Sequence, residues 1–138
     1  MSCYLLRRAR RQYRLEPVGK VLFVEDDPTI RKLIQSALRN STHELHFATN
    51  GREGLELAER VRPDCVFTDV SMPEMNGLEL ADAIRARPDL ADVKIVFVTA
   101  SLQREQIDRY LAHGAVAYLG KPFSPADLRA HVEKFVPA

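Results

Sequence analysis

Short apolar runs separated by stretches of helical periodicity constrain this chain more than any other feature. Val21–Val24, Leu45–Ala48, Cys65–Thr68, Val93–Val98 and Ala115–Leu119 have the length of strands. Val93–Val98 is mostly β-branched or aromatic, which favours a pleated, packed strand. Continuous apolar runs, rather than alternating ones, belong to parallel strands buried on both faces. Between the runs, Ile30, Leu33, Ile34, Ala37 and Leu38 repeat at the spacing of one helix face. Leu78, Ala81 and Ile84 do the same, as do Leu128, Val132, Phe135 and Val136. The punctuation agrees. Pro28 suits a first helical turn, where its missing N–H has no intrahelical partner to lose. Asn50 is placed to cap a helix over Gly51–Val61, which Arg62-Pro63 ends. Arg87-Pro88 stops the next helix, and the turn-rich stretch Met72–Gly77 precedes it. Ser101 is placed to cap a fourth helix running to His113, with Gly114 as its stop.

The order βαβαβαβαβα predicts an α/β fold with a parallel sheet covered by helices on both faces. Right-handed crossovers leave few topologies. The doubly wound, flavodoxin-like (βα)5 order 2-1-3-4-5 puts a switch point between strands one and three. Those two strands end in acids: Glu25 and Asp26 in V-L-F-V-E-D-D-P, and Asp69 in C-V-F-T-D-V. Ligands of open parallel sheets bind beyond the carboxyl ends of the strands. Carboxylates gathered there raise each other's pKa unless a cation joins them. Hard oxygen ligands suit Mg²⁺ or Mn²⁺. Thr99 ends strand four and Lys121 follows strand five. A hydroxyl and an ammonium at this rim could bind phosphoryl oxygens and offset the charge that repels them. Singly, each residue has an ordinary reading. The acids fit a helix N-terminus, Asp69 a turn, Thr99 a β-branched strand end and Lys121 a solvated surface. Their joint occurrence at successive strand ends argues for a site.

Four segments carry a family resemblance: V-L-F-V-E-D-D-P-T-I-R (21–31), D-C-V-F-T-D-V-S-M-P-E-M-N-G-L-E-L (64–80), V-F-V-T-A (96–100) and G-A-V-A-Y-L-G-K-P-F (114–123). Together they resemble the receiver domain of bacterial two-component response regulators, in particular stand-alone receivers of the chemotaxis type. The resemblance implies a receiver domain over residues 18–138. It implies that Asp69 is the nucleophile that accepts a phosphoryl group. Asp26 would ligate Mg²⁺, with Glu25 acting through a metal-bound water or as a further acidic ligand, and with Asp69 and the Ser71 backbone carbonyl completing the protein's share. Thr99 would bond the phosphoryl oxygen, and Lys121 would pair with it. The first acidic position is Glu25 where the family more often has Asp. Asp27 falls outside the metal pair. Ser71 and Ser101 occupy the positions that tune loss of the mark. The peptide bond before Pro122 is expected to be cis, which only proline makes cheap. Tyr118 would swing inward when Thr99 moves toward the phosphoryl group, a two-state element biased by one local charge.

The resemblance further implies a phosphoryl donor, either a sensor histidine kinase or a histidine phosphotransfer protein. It implies a downstream protein target met through the face of helix four, strand five and helix five. The chain would support its own phosphorylation and dephosphorylation without being an enzyme in the ordinary sense. No DNA-binding domain is expected, and a dimer through the last two helices is an open alternative. The competing reading is a phosphorylation-independent adaptor, although such degenerate receivers usually lose the Asp, Thr or Lys. A Mg²⁺-dependent phosphatase wants a second Asp two residues after the nucleophile, and position 71 is Ser. A flavodoxin wants a hydroxyl-rich phosphate loop after strand one, where this chain has acids.

Composition adds boundaries. A chain of 138 residues is one domain's worth and buries roughly two-thirds of its unfolded surface. No run approaches the ~20 apolar residues of a membrane span. Cys3 and Cys65 lack metal spacing, and Cys65 reads as a buried thiol, so a reducing cytoplasm is the expectation. The net charge of +1 hides a basic arm over residues 1–17, in which Arg7, Arg8, Arg10, Arg11 and Arg14 face only Glu16. The charge follows a mere Leu5-Leu6 pair, which excludes a secretory signal. None of His43, His46, His113 or His131 is placed as a ligand or base, and Tyr110 reads as packing.

Overall fold

The computed structural model describes residues 19–137. The basic arm, with Cys3 and its arginines, lies outside the described residues. Ten main elements alternate: β1 (Lys20–Val24), α1 (Pro28–Ala37), β2 (Glu44–Ala48), α2 (Gly51–Val61), β3 (Cys65–Asp69), α3 (Gly77–Arg85), β4 (Lys94–Thr99), α4 (Arg104–Ala112), β5 (Ala117–Gly120) and α5 (Pro125–Phe135). A single 3₁₀ turn, Pro88–Leu90, follows α3. The strands pair in the order β2-β1-β3-β4-β5, all parallel. This is the flavodoxin-like arrangement that the alternation predicts.

The two-residue period of a strand sends neighbours to opposite faces. Leu22, Val24, Val66, Ile95 and Phe97 meet Ala58 of α2, Leu80, Ala81 and Ile84 of α3, and Tyr110 of α4. Val21, Phe23, Phe67, Val96 and Val98 meet Ile34 of α1 and Leu128 and Val132 of α5. Both faces are therefore covered, which is why the strand runs carry no polar alternation. Phe23 stacks between Phe47 and Phe67, with centroids 5.4 and 5.2 Å away. Cys65 is fully buried, and that burial pushes its thiol up to about 12. Among the described residues no helix is long and apolar enough to cross a membrane.

The helix starts follow the capping logic with one exception. Asn50 accepts the Glu53 N–H at 2.9 Å, Asn76 and Glu79 form a reciprocal capping box, and so do Ser124 and Asp127. Ser101 does not cap α4. That helix begins three residues later, after Gln103, with no side-chain cap. The competing partner is the Thr99 hydroxyl, which accepts the Ser101 N–H at 3.1 Å and holds the segment in a turn. Strand five also starts later than its apolar run. Gly114, at φ +86°, and Ala115, whose N–H bonds the Tyr110 carbonyl, are still closing α4.

Candidate acidic site at the carboxyl edge of the sheet

Ladder hydrogen bonds continue past the strands and fix the backbone of the site. The Glu25 N–H donates to the Ala48 carbonyl at 3.0 Å, the Val70 N–H to the Val98 carbonyl at 3.3 Å, and the Lys121 N–H to the Thr99 carbonyl at 2.8 Å. Each side chain that follows a strand therefore inherits the register of the sheet. The loop after β3 is drawn tight by Gly77, whose N–H donates to the Val70 carbonyl at 2.9 Å. A Cβ at position 77 would run into the Asp69 carbonyl oxygen, so only glycine allows this return.

Glu25, Asp26 and Asp69 each offer a carboxylate oxygen within 4.8 Å of the others, the one such acidic group among the described residues. Glu25 and Asp69 are buried, at 3% and 8% exposure, whereas Asp26 faces solvent. Lys121 joins the buried pair, with Nζ 2.8 Å from Glu25 Oε1 and 3.0 Å from Asp69 Oδ2. The other Asp69 oxygen accepts the Ser71 N–H at 3.3 Å. Asp27 stands apart as the N-cap of α1, accepting the Thr29 N–H at 2.8 Å, while its own N–H donates to Glu25 Oε2 at 3.2 Å. The peptide bond between Lys121 and Pro122 is cis.

Burial pushes the Glu25 carboxyl up to about 7, against the lowering bonds from Lys121 and the Asp27 N–H, and the nearby Asp69 charge adds to the rise. For Lys121 burial pulls downward, but its bonds to Glu25 and Asp69 outweigh that and leave the ammonium above its ordinary value. The single lysine thus under-compensates a buried pair of acids. Hard, anionic oxygen donors short of positive charge suit a divalent cation such as Mg²⁺.

Thr99 and Tyr118 are not drawn into this cluster. Thr99 is buried at the end of β4, and its hydroxyl lies 2.8 Å from the Tyr110 hydroxyl. Tyr118 points outward and is 37% exposed. The sequence reading treats Tyr110 as packing, and its ring does pack on Phe97 at 5.4 Å. What it missed is the polar tip. A tyrosine on a buried helix face usually finds a partner for its hydroxyl, and that is the signal available in the sequence. Arg31 was missed too; its guanidinium donates to the Glu25 carbonyl at 2.8 Å. The histidines stay outside the acidic group: His46 bonds Glu44, His113 bonds Asp82, and His131 bonds the Asp127 carbonyl.

Comparison with known proteins agrees with the fold. The family model for the response regulator receiver domain matches residues 21–133. The transcriptional regulatory protein PdtaR of Mycobacterium tuberculosis is 39% identical over 115 residues, 83% of this chain but 55% of PdtaR. The chain thus spans about half the length of the curated relatives it matches first. The structure of the chemotaxis response regulator CheY4 of Vibrio cholerae superposes with a TM-score of 0.81 at 32% identity, over 86% of this chain and 98% of that one. The receiver domain of a sensor histidine kinase from Pseudomonas aeruginosa, solved with a magnesium ion coordinated in its active site cleft, superposes with a TM-score of 0.77 at 28% identity, over 85% of this chain and 96% of that one. A five-stranded sheet of this order, three acids with a lysine at its switch point, and a family match over most of the chain lead to one conclusion: the protein belongs to the response regulator receiver domain family.

Proposed function

We propose that this chain is a phosphorylation-switched receiver whose phosphoacceptor is Asp69. The observation that carries the reading is the buried Asp69 carboxylate with a lysine ammonium 3.0 Å away and two more acids beside it. An aspartate is a competent covalent nucleophile when its surroundings position it and absorb charge. The donor is the phosphohistidine of a sensor kinase or phosphotransfer protein. The bond from phosphorus to the histidine nitrogen breaks and its electron pair stays with the imidazole. A bond from phosphorus to an Asp69 oxygen forms, and water later hydrolyses this acyl phosphate.

Glu25, Asp26, Asp69 and the Ser71 carbonyl would hold Mg²⁺. When bound, the ion supplies charge neutralisation between the acids and the incoming phosphoryl oxygens. Lys121 leaves its contact with Glu25 to neutralise a phosphoryl oxygen, and Thr99 donates its hydroxyl to another. Tyr118 and the face of α4, β5 and α5 then report the change to a downstream protein in the cytoplasm.

Incubation with Mg²⁺ and a small phosphodonor, followed by intact mass, tests the reading. Wild type gains one phosphoryl group. Asp69→Asn gains none, and neither does wild type with the metal chelated. Failure with several donors and with histidine kinases would favour a phosphorylation-independent adaptor.

A further inference from the structure

Tyr110 lies on the inner face of α4, only 2% exposed, and makes the contact that the acceptor chemistry does not use. Its ring is anchored against Phe97, two residues before Thr99 on the same face of β4. That placement delivers the phenol oxygen to 2.8 Å from Thr99 Oγ1 and 3.4 Å from the Ser101 carbonyl. Thr99 Oγ1 also accepts the Ser101 N–H at 3.1 Å and lies 3.3 Å from the Ser101 carbonyl. A threonine hydroxyl has one proton and two lone pairs. Whichever of the two hydroxyls donates, the Thr99 proton is engaged by Tyr110 or Ser101, on the α4 side.

We infer that Tyr110 is a positioning residue that latches Thr99 in the unphosphorylated state. The inference rests on the phosphoryl-acceptor reading above and deepens its regulation. To donate to a phosphoryl oxygen on Asp69, the Thr99 hydroxyl gives up the bond it donates on the α4 side, and its movement toward the phosphoryl group takes it out of the 2.8 Å phenol contact. The buried Tyr110 hydroxyl is then left with the long contact to Ser101, and a buried donor stripped of its partner is costly. The latch therefore biases the equilibrium toward the unphosphorylated arrangement and sets how much the phosphoryl group must offset. α4 itself is joined to the switch, because the same tyrosine spans its buried face and the strand end.

The test uses beryllium trifluoride with Mg²⁺ as a phosphoryl mimic on the whole chain, and a double-mutant cycle of Tyr110→Phe with Thr99→Val. Tyr110→Phe binds the mimic about three- to tenfold more tightly, the range one buried neutral hydrogen bond supplies. In the Thr99→Val background the same change has no effect, because there is no hydroxyl to release. Equal affinity in the Thr99 background, or the same gain in both backgrounds, overturns the latch and leaves Tyr110 a core residue. A second readout needs no variant of Tyr110 to fold. In wild type labelled at tyrosine Cζ, the Tyr110 resonance shifts when the mimic saturates. A Tyr110 resonance that stays put while the protein binds the mimic also overturns the latch. A wild type that binds no mimic at all removes the acceptor reading itself, and the two failures are thereby told apart.

Discussion

At the ends of β1 and β3 the charged groups already touch: Lys121 bridges Glu25 and Asp69, and Asp26 stands within a metal's reach of both. At the ends of β4 and β5 the groups turn away, with Thr99 held by Tyr110 and Tyr118 on the surface. Under the function proposed above, one half of the edge is assembled for chemistry and the other half is parked. The difference is what a switch requires. A ligand shifts a conformational equilibrium only through groups that differ between its two states. The acids are fixed by the ladder and gain little by moving. The hydroxyl and the aromatic ring have somewhere to go. The two halves meet at Lys121, whose N–H is tied to the Thr99 carbonyl at 2.8 Å while its ammonium serves the acids.

Lys121→Met gives the largest expected effect and breaks the assembled half. It leaves Glu25 and Asp69 buried together without their cation. Removing one partner of a buried pair costs about 3–5 kcal/mol, and proton uptake by Glu25 relieves part of that. Metal-free protein at pH 8 is therefore expected to lose about 2–3 kcal/mol in urea unfolding, and less at pH 5. Millimolar Mg²⁺ restores stability by replacing the missing charge. A loss below about 0.5 kcal/mol, within the range of an ordinary surface change, would mean that the acids are not held by the lysine.

The pH dependence of the metal-free protein is an effect of comparable size. Burial raises the folded Glu25 pKa from 4.5 to about 7, so between these values the native state binds more protons than the unfolded chain. Its contribution is then full below pH 4.5, declines as pH rises toward 7, and is level above that. The decline amounts to about 3 kcal/mol at 1.36 kcal/mol per unit. The difference in unfolding free energy between wild type and Glu25→Gln, followed from pH 4.5 to 8, isolates it. Lys121, raised above its ordinary value, loses its contribution only above that range and does not blur the window. A flat difference would show that Glu25 is not strained by its burial.

What the sequence makes legible divides along the same line. Glu25, Asp26 and Asp69 each end an apolar run, and the first charges after a run buried on both faces mark where the strand leaves the core. Their convergence can be read from strand ends alone. Which carboxylates Lys121 bonds cannot be, because both acids lie far from it in the chain and only the packed sheet brings them within reach. Ser101 misleads for a local reason: capping propensity favours it, yet the neighbouring Thr99 hydroxyl captures its N–H first. Tyr110 is legible as an apolar helix position. The partner of its hydroxyl depends on the depth at which α4 packs over Phe97, which periodicity does not encode.

Tyr118→Ala gives the smallest stability effect and sharpens the comparison most. The ring sits on β5, the edge strand, and is 37% exposed. A half-exposed ring contributes little packing, so unfolding should change by less than about 1 kcal/mol. Phosphoryl uptake on Asp69 should reach the same extent, because Tyr118 stands outside the acidic group of Glu25, Asp26 and Asp69. What should shrink is the response of the read-out half. In amide spectra taken with and without beryllium trifluoride, the shifts over residues 101–136 should weaken in the variant, whereas those around Glu25 and Asp69 should persist. Unchanged shifts over both regions would remove Tyr118 from the switch and leave Thr99 and Tyr110 as its whole moving part. Impaired uptake would mean that the surface ring supports the acids, and the division between an assembled half and a parked half would not hold.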